Sequence, residues 1–293
     1  MSKVRLRLSG VTSFASQIVG YIVGILFAAM VSRRLSERDF GAWAYIGTIA
    51  SYAILPTDLF GQWITRDAAR GRKIFGSALT INLPFFLASL LIFIAFSEPA
   101  AAAVNLSRDV VLLGLLILIP LYFKNVFEAL VKGYAYQHSG IAIMLFEFTK
   151  LIAGIVLVVY FRMGLTGVFI ALSLSYALQA VYLLVMAREL FSGWVDFGVI
   201  KRWLRGSLFT MVGMLNNYLS SLDILLMSVI IGSTLITGYW QAALIIGSLV
   251  KTSGFLMGGL SQRLLAGGSQ KDVDKSLSFT MTLSIPILFG AIV

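Results

Sequence analysis

Apolar runs alternate with short charged clusters along nearly the whole chain. The runs cover residues 11–32, 41–63, 75–97, 110–135, 139–161, 164–187, 207–232, 238–260 and 276–293. Each comes close to or exceeds the roughly 20 residues that let an α-helix cross about 30 Å of hydrocarbon. The pattern predicts an all-α integral membrane protein with about nine transmembrane helices. Pro84 and Pro120 fall inside the third and fourth runs and mark kink candidates, tolerated where neighbouring helices satisfy the freed carbonyls.

Composition agrees with this pattern. Of 293 residues, 59% are hydrophobic and 12% charged, against about 45–50% and about 25% in soluble domains. In a soluble protein the net charge of +10 would point to nucleic acid. Here its placement reads as topology, and no nucleic-acid partner is expected. With the N-terminus in the cytoplasm, fifteen Lys and Arg residues fall on inner segments and five on outer ones, the bias expected of cytoplasmic loops. The main exception is "RRLSERDF", where Glu37 and Asp39 accompany three arginines. The stretch Val11–Ser32 after the basic N-terminal stub exceeds a signal-peptide core and has no small-residue cleavage site, so it reads as the first membrane helix.

Residues 188–206 carry Trp194 and Trp203 among Lys201, Arg202 and Arg205. This reads as a cytoplasmic interfacial linker with its rings at headgroup level and its cations in water. Sliding the sequence against itself by 197 positions aligns the first two runs with the seventh and eighth. Tyr21/Tyr218, Met30/Met227, Gly41/Gly238, Trp43/Trp240, Ser51/Ser248, Gly61/Gly258, Arg66/Arg263 and Gly71/Gly268 match. Six intervening spans give the copies the same orientation, a parallel repeat about an axis along the membrane normal. The expected division is a six-helix bundle over 1–187, the linker over 188–206, and the first three helices of a second bundle over 207–293. On this reading the second bundle is truncated, because the final apolar run has no polar tail.

The segments "RRLSERDFGAWAYIGTIASY", with Phe40, Gly41 and Trp43, and "SLDILLMSVIIGSTLITGYWQAALI", with Asp223, Gly232, Gly238 and Tyr239, resemble the second, seventh and eighth helices of polysaccharide flippases. "VKGYAYQHSGIAI" and "MGLTGVFIALSLSYAL" are similar to that family's connections around its fifth helix. The resemblance, to the polysaccharide branch of the MOP exporter superfamily, extends over essentially the whole chain in short degenerate motifs. It implies two six-helix bundles around a central cavity. A lipid-linked saccharide on polyprenyl phosphate or pyrophosphate would cross there as one bundle rocks against the other. Nine helices is fewer than the twelve to fourteen the family normally has.

Charged residues within spans are costly and mark sites or pairs. Lys124 and Glu128 lie four residues apart, and Glu147 and Lys150 three apart, spacings that place both partners on one helix face. They are intrahelical pairs, or lysines that line a cavity and meet phosphate; an arriving anion that displaces the carboxylate makes both true. Lys251 has no acidic residue within a turn, and the natural partner is Asp223 on the adjacent antiparallel helix. Asp223 is a structural counter-ion, or it binds Na⁺ or H⁺ and couples a gradient to motion, a role open to Glu147 as well. Arg66 and Arg263 anchor the inner ends of repeated helices or form a cationic mouth for anionic lipid headgroups. The binding candidates are thus Lys124, Lys150, Lys251 and Arg66.

The absence of cysteine removes disulfides and thiolate metal sites, and His138 alone makes no metal cluster. No nucleophile set or phosphate-binding loop is present, so neither an enzyme nor a cofactor is expected. Three functions remain open: a lipid-linked saccharide flippase, a multidrug cation antiporter of the same superfamily, and a non-transporting scaffold for glycan-assembly proteins. Membrane lipids are partners in each.

Overall fold

The computed structural model describes residues 6–191, 194–219 and 222–245, and every regular element among them is helical. In order these are α1 (Leu6–Ser32), α2 (Glu37–Ala53), α3 (Leu55–Ala69), α4 (Phe75–Ala103), α5 (Arg108–Leu112), α6 (Gly114–Tyr134), α7 (Gln137–Gly154), α8 (Gly164–Met186), α9 (Phe197–Leu219) and α10 (Leu222–Ile231). A further helix occupies residues 234–245. The end of α7 widens into a π-type turn over Ile155–Tyr160, where Phe161 N donates to the Val156 carbonyl.

Four stretches, Phe75–Ala103, Arg108–Tyr134, Gln137–Tyr160 and Gly164–Leu190, are long and apolar enough to cross a membrane. They correspond to the third to sixth expected spans. The first expected span falls within α1, and Leu222–Ile231 is a shorter apolar helix. Large apolar side chains such as Leu91, Phe96 and Ile152 stand outward on these helices, more than half exposed, as suits a surface solvated by lipid tails. The chain is a multi-pass membrane protein. The ninth expected span and most of the eighth lie outside the described residues.

The second expected span, 41–63, is not one helix. Pro56 has no N–H to donate to the carbonyl four residues back, and its ring crowds that position. The helix therefore stops at Ala53 and restarts at Leu55 with Pro56 in the first turn. Thr57 takes over at the break, its N and Oγ1 both donating to the Ile54 carbonyl at 2.9 and 2.8 Å. At the other end α2 begins at Glu37, because Ser36 Oγ accepts from Asp39 N at 3.1 Å and two acidic residues sit in the first turn.

Residues 194–206 likewise do more than a surface linker would. Asp196 Oδ1 accepts from Gly198 N and Val199 N at 2.9 and 3.1 Å and starts α9 at Phe197. Trp194 is exposed, but Trp203 is fully buried.

The core centres on α6, which packs against α3 and α8, while α7 lies between α1 and α8. Tyr122, Leu118 and Leu130 of α6, Phe60 and Ile64 of α3, and Phe169 and Leu183 of α8 are among its fully buried members. The later helices attach through α9 on α3 and α10 on α2.

One contact shows how closely these helices meet. A Cβ on Gly41 of α2 would fall 1.6 Å from the Thr234 carbonyl oxygen, and one on Gly238 would fall 2.8 Å from that of Glu37. Glu37 and Thr234, like the two glycines, stand 197 positions apart, so the contact is reciprocal. Ser36 and Ser233, again 197 apart, cap the two crossing helices, with Leu235 N donating to Ser233 Oγ at 3.3 Å.

Candidate functional site

The i,i+4 spacing on α6 produces more than the expected pair. Glu128 lies 2.6 Å from Lys124 Nζ and also 2.9 Å from Lys132 Nζ, so one buried carboxylate bridges two lysines. Lys124 donates to Asn125 Oδ1 at 3.2 Å, and Asn125 Nδ2 donates to Thr57 Oγ1 at 3.1 Å, which ties the cluster to the break between α2 and α3.

On α7 the expected Glu147–Lys150 pair is present at 2.6 Å, with both residues buried. Apolar rings surround the ammonium: Lys150 Nζ lies 5.4 Å from the Phe27 centroid and 5.0 Å from that of Phe146, within cation–π range. Phe146 in turn stacks on Tyr176 of α8 at 4.5 Å. Together the α6 and α7 clusters hold three lysines and two glutamates.

Asp223 is half-buried and accepts from Trp240 Nε1 at 3.0 Å. Its expected partner Lys251 lies outside the described residues, as does Arg263. Arg66 does not join the lysines. It is exposed, with its guanidinium 5.5 Å from the Trp63 ring.

Two carboxylates escaped the sequence reading. Asp58 of α3 accepts from Tyr218 Oη of α9 at 2.5 Å, while Tyr52 Oη donates to the Tyr218 carbonyl at 2.6 Å. A signal was present, because Asp58 is the one charged residue in the run 41–63, the same feature that singled out Asp223. Asp67 is 2% exposed and accepts from Arg202 Nη2 at 2.6 Å, Trp203 Nε1 at 2.9 Å and Arg72 Nη1 at 3.3 Å. Its neighbours Arg66, Arg70 and Arg72 read as a solvated basic cluster, and this concealed it.

Among the described residues no group of His, Cys, Asp and Glu could hold a metal ion. Two surface hollows, one lined by Leu79, Asn82 and Phe123 and the other by Thr149, Ile152 and Leu174, are apolar grooves apart from the charged clusters. In this conformation the lysines and glutamates are paired, with Glu128, Glu147 and Lys150 buried, Lys124 half-buried and Lys132 exposed.

The arrangement resembles solved structures. A MOP-superfamily transporter from Pyrococcus furiosus aligns over 95% of this chain and 69% of its own, with 14% identity and a TM-score of 0.53. It is described as having a binding pocket of reverse polarity that suggests a different function. A MATE protein in complex with Br-NRF aligns over 98% of this chain and 72% of its own, with 14% identity and a TM-score of 0.52. The fold is that of MOP-superfamily transporters. No protein-family model and no curated protein matches the sequence.

Proposed function

We propose that the protein is a transporter of lipid-linked saccharides. The headgroup of a polyprenyl phosphate or pyrophosphate would enter between the bundles and exchange with the carboxylates that hold Lys124 and Lys150. The observation that carries this reading is that two buried carboxylates hold three lysines: Glu128 is shared by the half-buried Lys124 and the exposed Lys132, and Glu147 holds the buried Lys150. An anion that displaces one carboxylate meets a preformed cation rather than a desolvated void. In this proposal the protein sits in the cell membrane with its N-terminus in the cytoplasm, Arg66 and Arg263 face the inner leaflet, and Asp223 serves as counter-ion or as carrier of H⁺ or Na⁺.

A second reading has its own support. Glu147 holds a cation, the Lys150 ammonium, that lies against the Phe27 and Phe146 rings, and a carboxylate beside a cation-accepting aromatic pair suits an amphipathic cation. One protein of similar fold was solved with Br-NRF. Native mass spectrometry of gently solubilised protein separates the readings. A polyprenyl phosphate sugar retained by the parent chain and lost in Lys150→Ala and Lys124→Ala supports the flippase. Retention of added amphipathic cations with no such lipid replaces it with the antiporter. Retention of assembly proteins alone points to the scaffold.

A further inference from the structure

Among the contacts that join the early helices to the later ones, two sets lie at opposite ends of the α2–α3 pair. At one end α2 crosses the helix 234–245 at Gly41 and Gly238, where the backbones leave no room for a side chain. Thr234 Oγ1 donates to the Arg38 carbonyl at 3.0 Å, and Tyr239 Oη contacts Glu37 beside the crossing. At the other end α3 meets α9 through the buried carboxylate of Asp67, held by Arg202 and Trp203. Thr210 Oγ1 continues that contact with a bond to the Leu59 carbonyl at 3.3 Å.

Between the two ends the covering helix is interrupted. Ile54 has φ −88° and ψ 0° and divides α2 from α3. The interruption removes the regular ladder that would otherwise transmit a tilt of α2 rigidly into α3. Tyr218 of α9 straddles it: Tyr52 on the α2 side holds its carbonyl, and Asp58 on the α3 side holds its hydroxyl. Either helix can withdraw while the other still holds Tyr218.

We infer that the Ile54–Pro56 break is a hinge that lets the Gly41–Gly238 contact and the Asp67 contact open independently, with Tyr218 as their shared pivot. A transporter that closes at one end while opening at the other needs such mechanical separation. The inference concerns motion and stands whichever cargo is carried, so its failure leaves the mass-spectrometric test of cargo untouched.

The chain contains no cysteine, so spin labels can be placed at will. One labelled pair, on cysteines replacing the exposed Arg34 and Leu235, spans the Gly41 end. A second pair, at the exposed Lys73 and Arg205, spans the Asp67 end. Distances are read by electron–electron resonance in purified full-length chain. With Pro56 in place, Asp67→Asn should widen the distribution at the Asp67 end and leave the Gly41 end unchanged. In a Pro56→Ala background the same substitution should widen both. If Asp67→Asn does not fold, Trp203→Phe releases the contact more gently and serves in its place.

Widening at both ends with Pro56 intact would overturn the hinge. So would an unchanged Gly41 end in the Pro56→Ala background. No widening at the Asp67 end would show that Asp67 holds nothing together there, and would overturn the two-contact arrangement itself.

Discussion

Trp203 donates its indole Nε1–H to Asp67 Oδ2 across 2.9 Å, with the ring fully buried and the carboxyl side chain 3% exposed. Arg202 Nη2 lies 2.6 Å from the same oxygen, and Arg72 Nη1 lies 3.3 Å from the other. A carboxylate this far from water is stable only when charged donors replace its hydration. The polar bonds thus fix where α9 sits on α3, and the tryptophan ring fills the space beside them.

The partners of Asp67 should therefore differ in worth. Asp67→Asn removes the charge that Arg202 and Arg72 answer and should cost about 2–3 kcal/mol of stability, the scale of hydrogen bonds to charged groups. Trp203→Phe keeps most of the ring and loses one donor, at about 1–2 kcal/mol. Arg70, 3.9 Å away and half exposed, should matter by less than about 0.5 kcal/mol when changed to Ala. Chemical unfolding of the three variants in one detergent measures the order. Equal losses for all three would remove Asp67 from its central place.

Much of this architecture could be read from the residue pattern, and the exceptions have physical causes. Long apolar helices such as α4 and α8 declare themselves because lipid demands an uninterrupted run. The pairs Lys124–Glu128 and Glu147–Lys150 followed from helical spacing, since partners within one helix need no tertiary knowledge. Lys132 as the second partner of Glu128 was hidden by its position near a helix end, where it looks like an ordinary cytoplasmic charge. Pro56 was passed over, because the apolar run around it reads as continuous and masks the boundary. Asp67 and Asp58 owe their roles to α9, well over a hundred residues away in sequence, and no local pattern announces such a partner.

The crossing of α2 with the helix 234–245 makes glycine necessary at one position and optional at another on the same helix. Gly41→Ala would place a methyl 1.6 Å from a backbone oxygen, so the helices must separate, at a cost of about 1–3 kcal/mol or more. A Cβ on Gly47 meets nothing within 4 Å, and Gly47→Ala should be neutral or stabilising by up to about 1 kcal/mol through helix propensity. Thermal unfolding of the two variants side by side provides an internal control. Equal tolerance of alanine at both positions would mean that the close crossing is not populated.

The buried pair Glu147–Lys150 lets structural and functional roles be told apart by a double-mutant cycle. Lys150→Met leaves Glu147 with no cation at 2.6 Å, and breaking one side of a buried pair costs about 3–5 kcal/mol. Adding Glu147→Gln removes the stranded charge, and a neutral, volume-matched pair is often as stable as the ionic one. The double variant should therefore regain most of the stability lost by the single one. If the pair serves only packing, the double variant should also retain any co-purified ligand. If Lys150 meets an anionic headgroup, as proposed above, stability should return while the ligand does not. Denaturant midpoints and native mass spectra of the four chains, parent, two singles and double, give both readings. Recovery of ligand together with stability would exclude Lys150 from the binding of cargo.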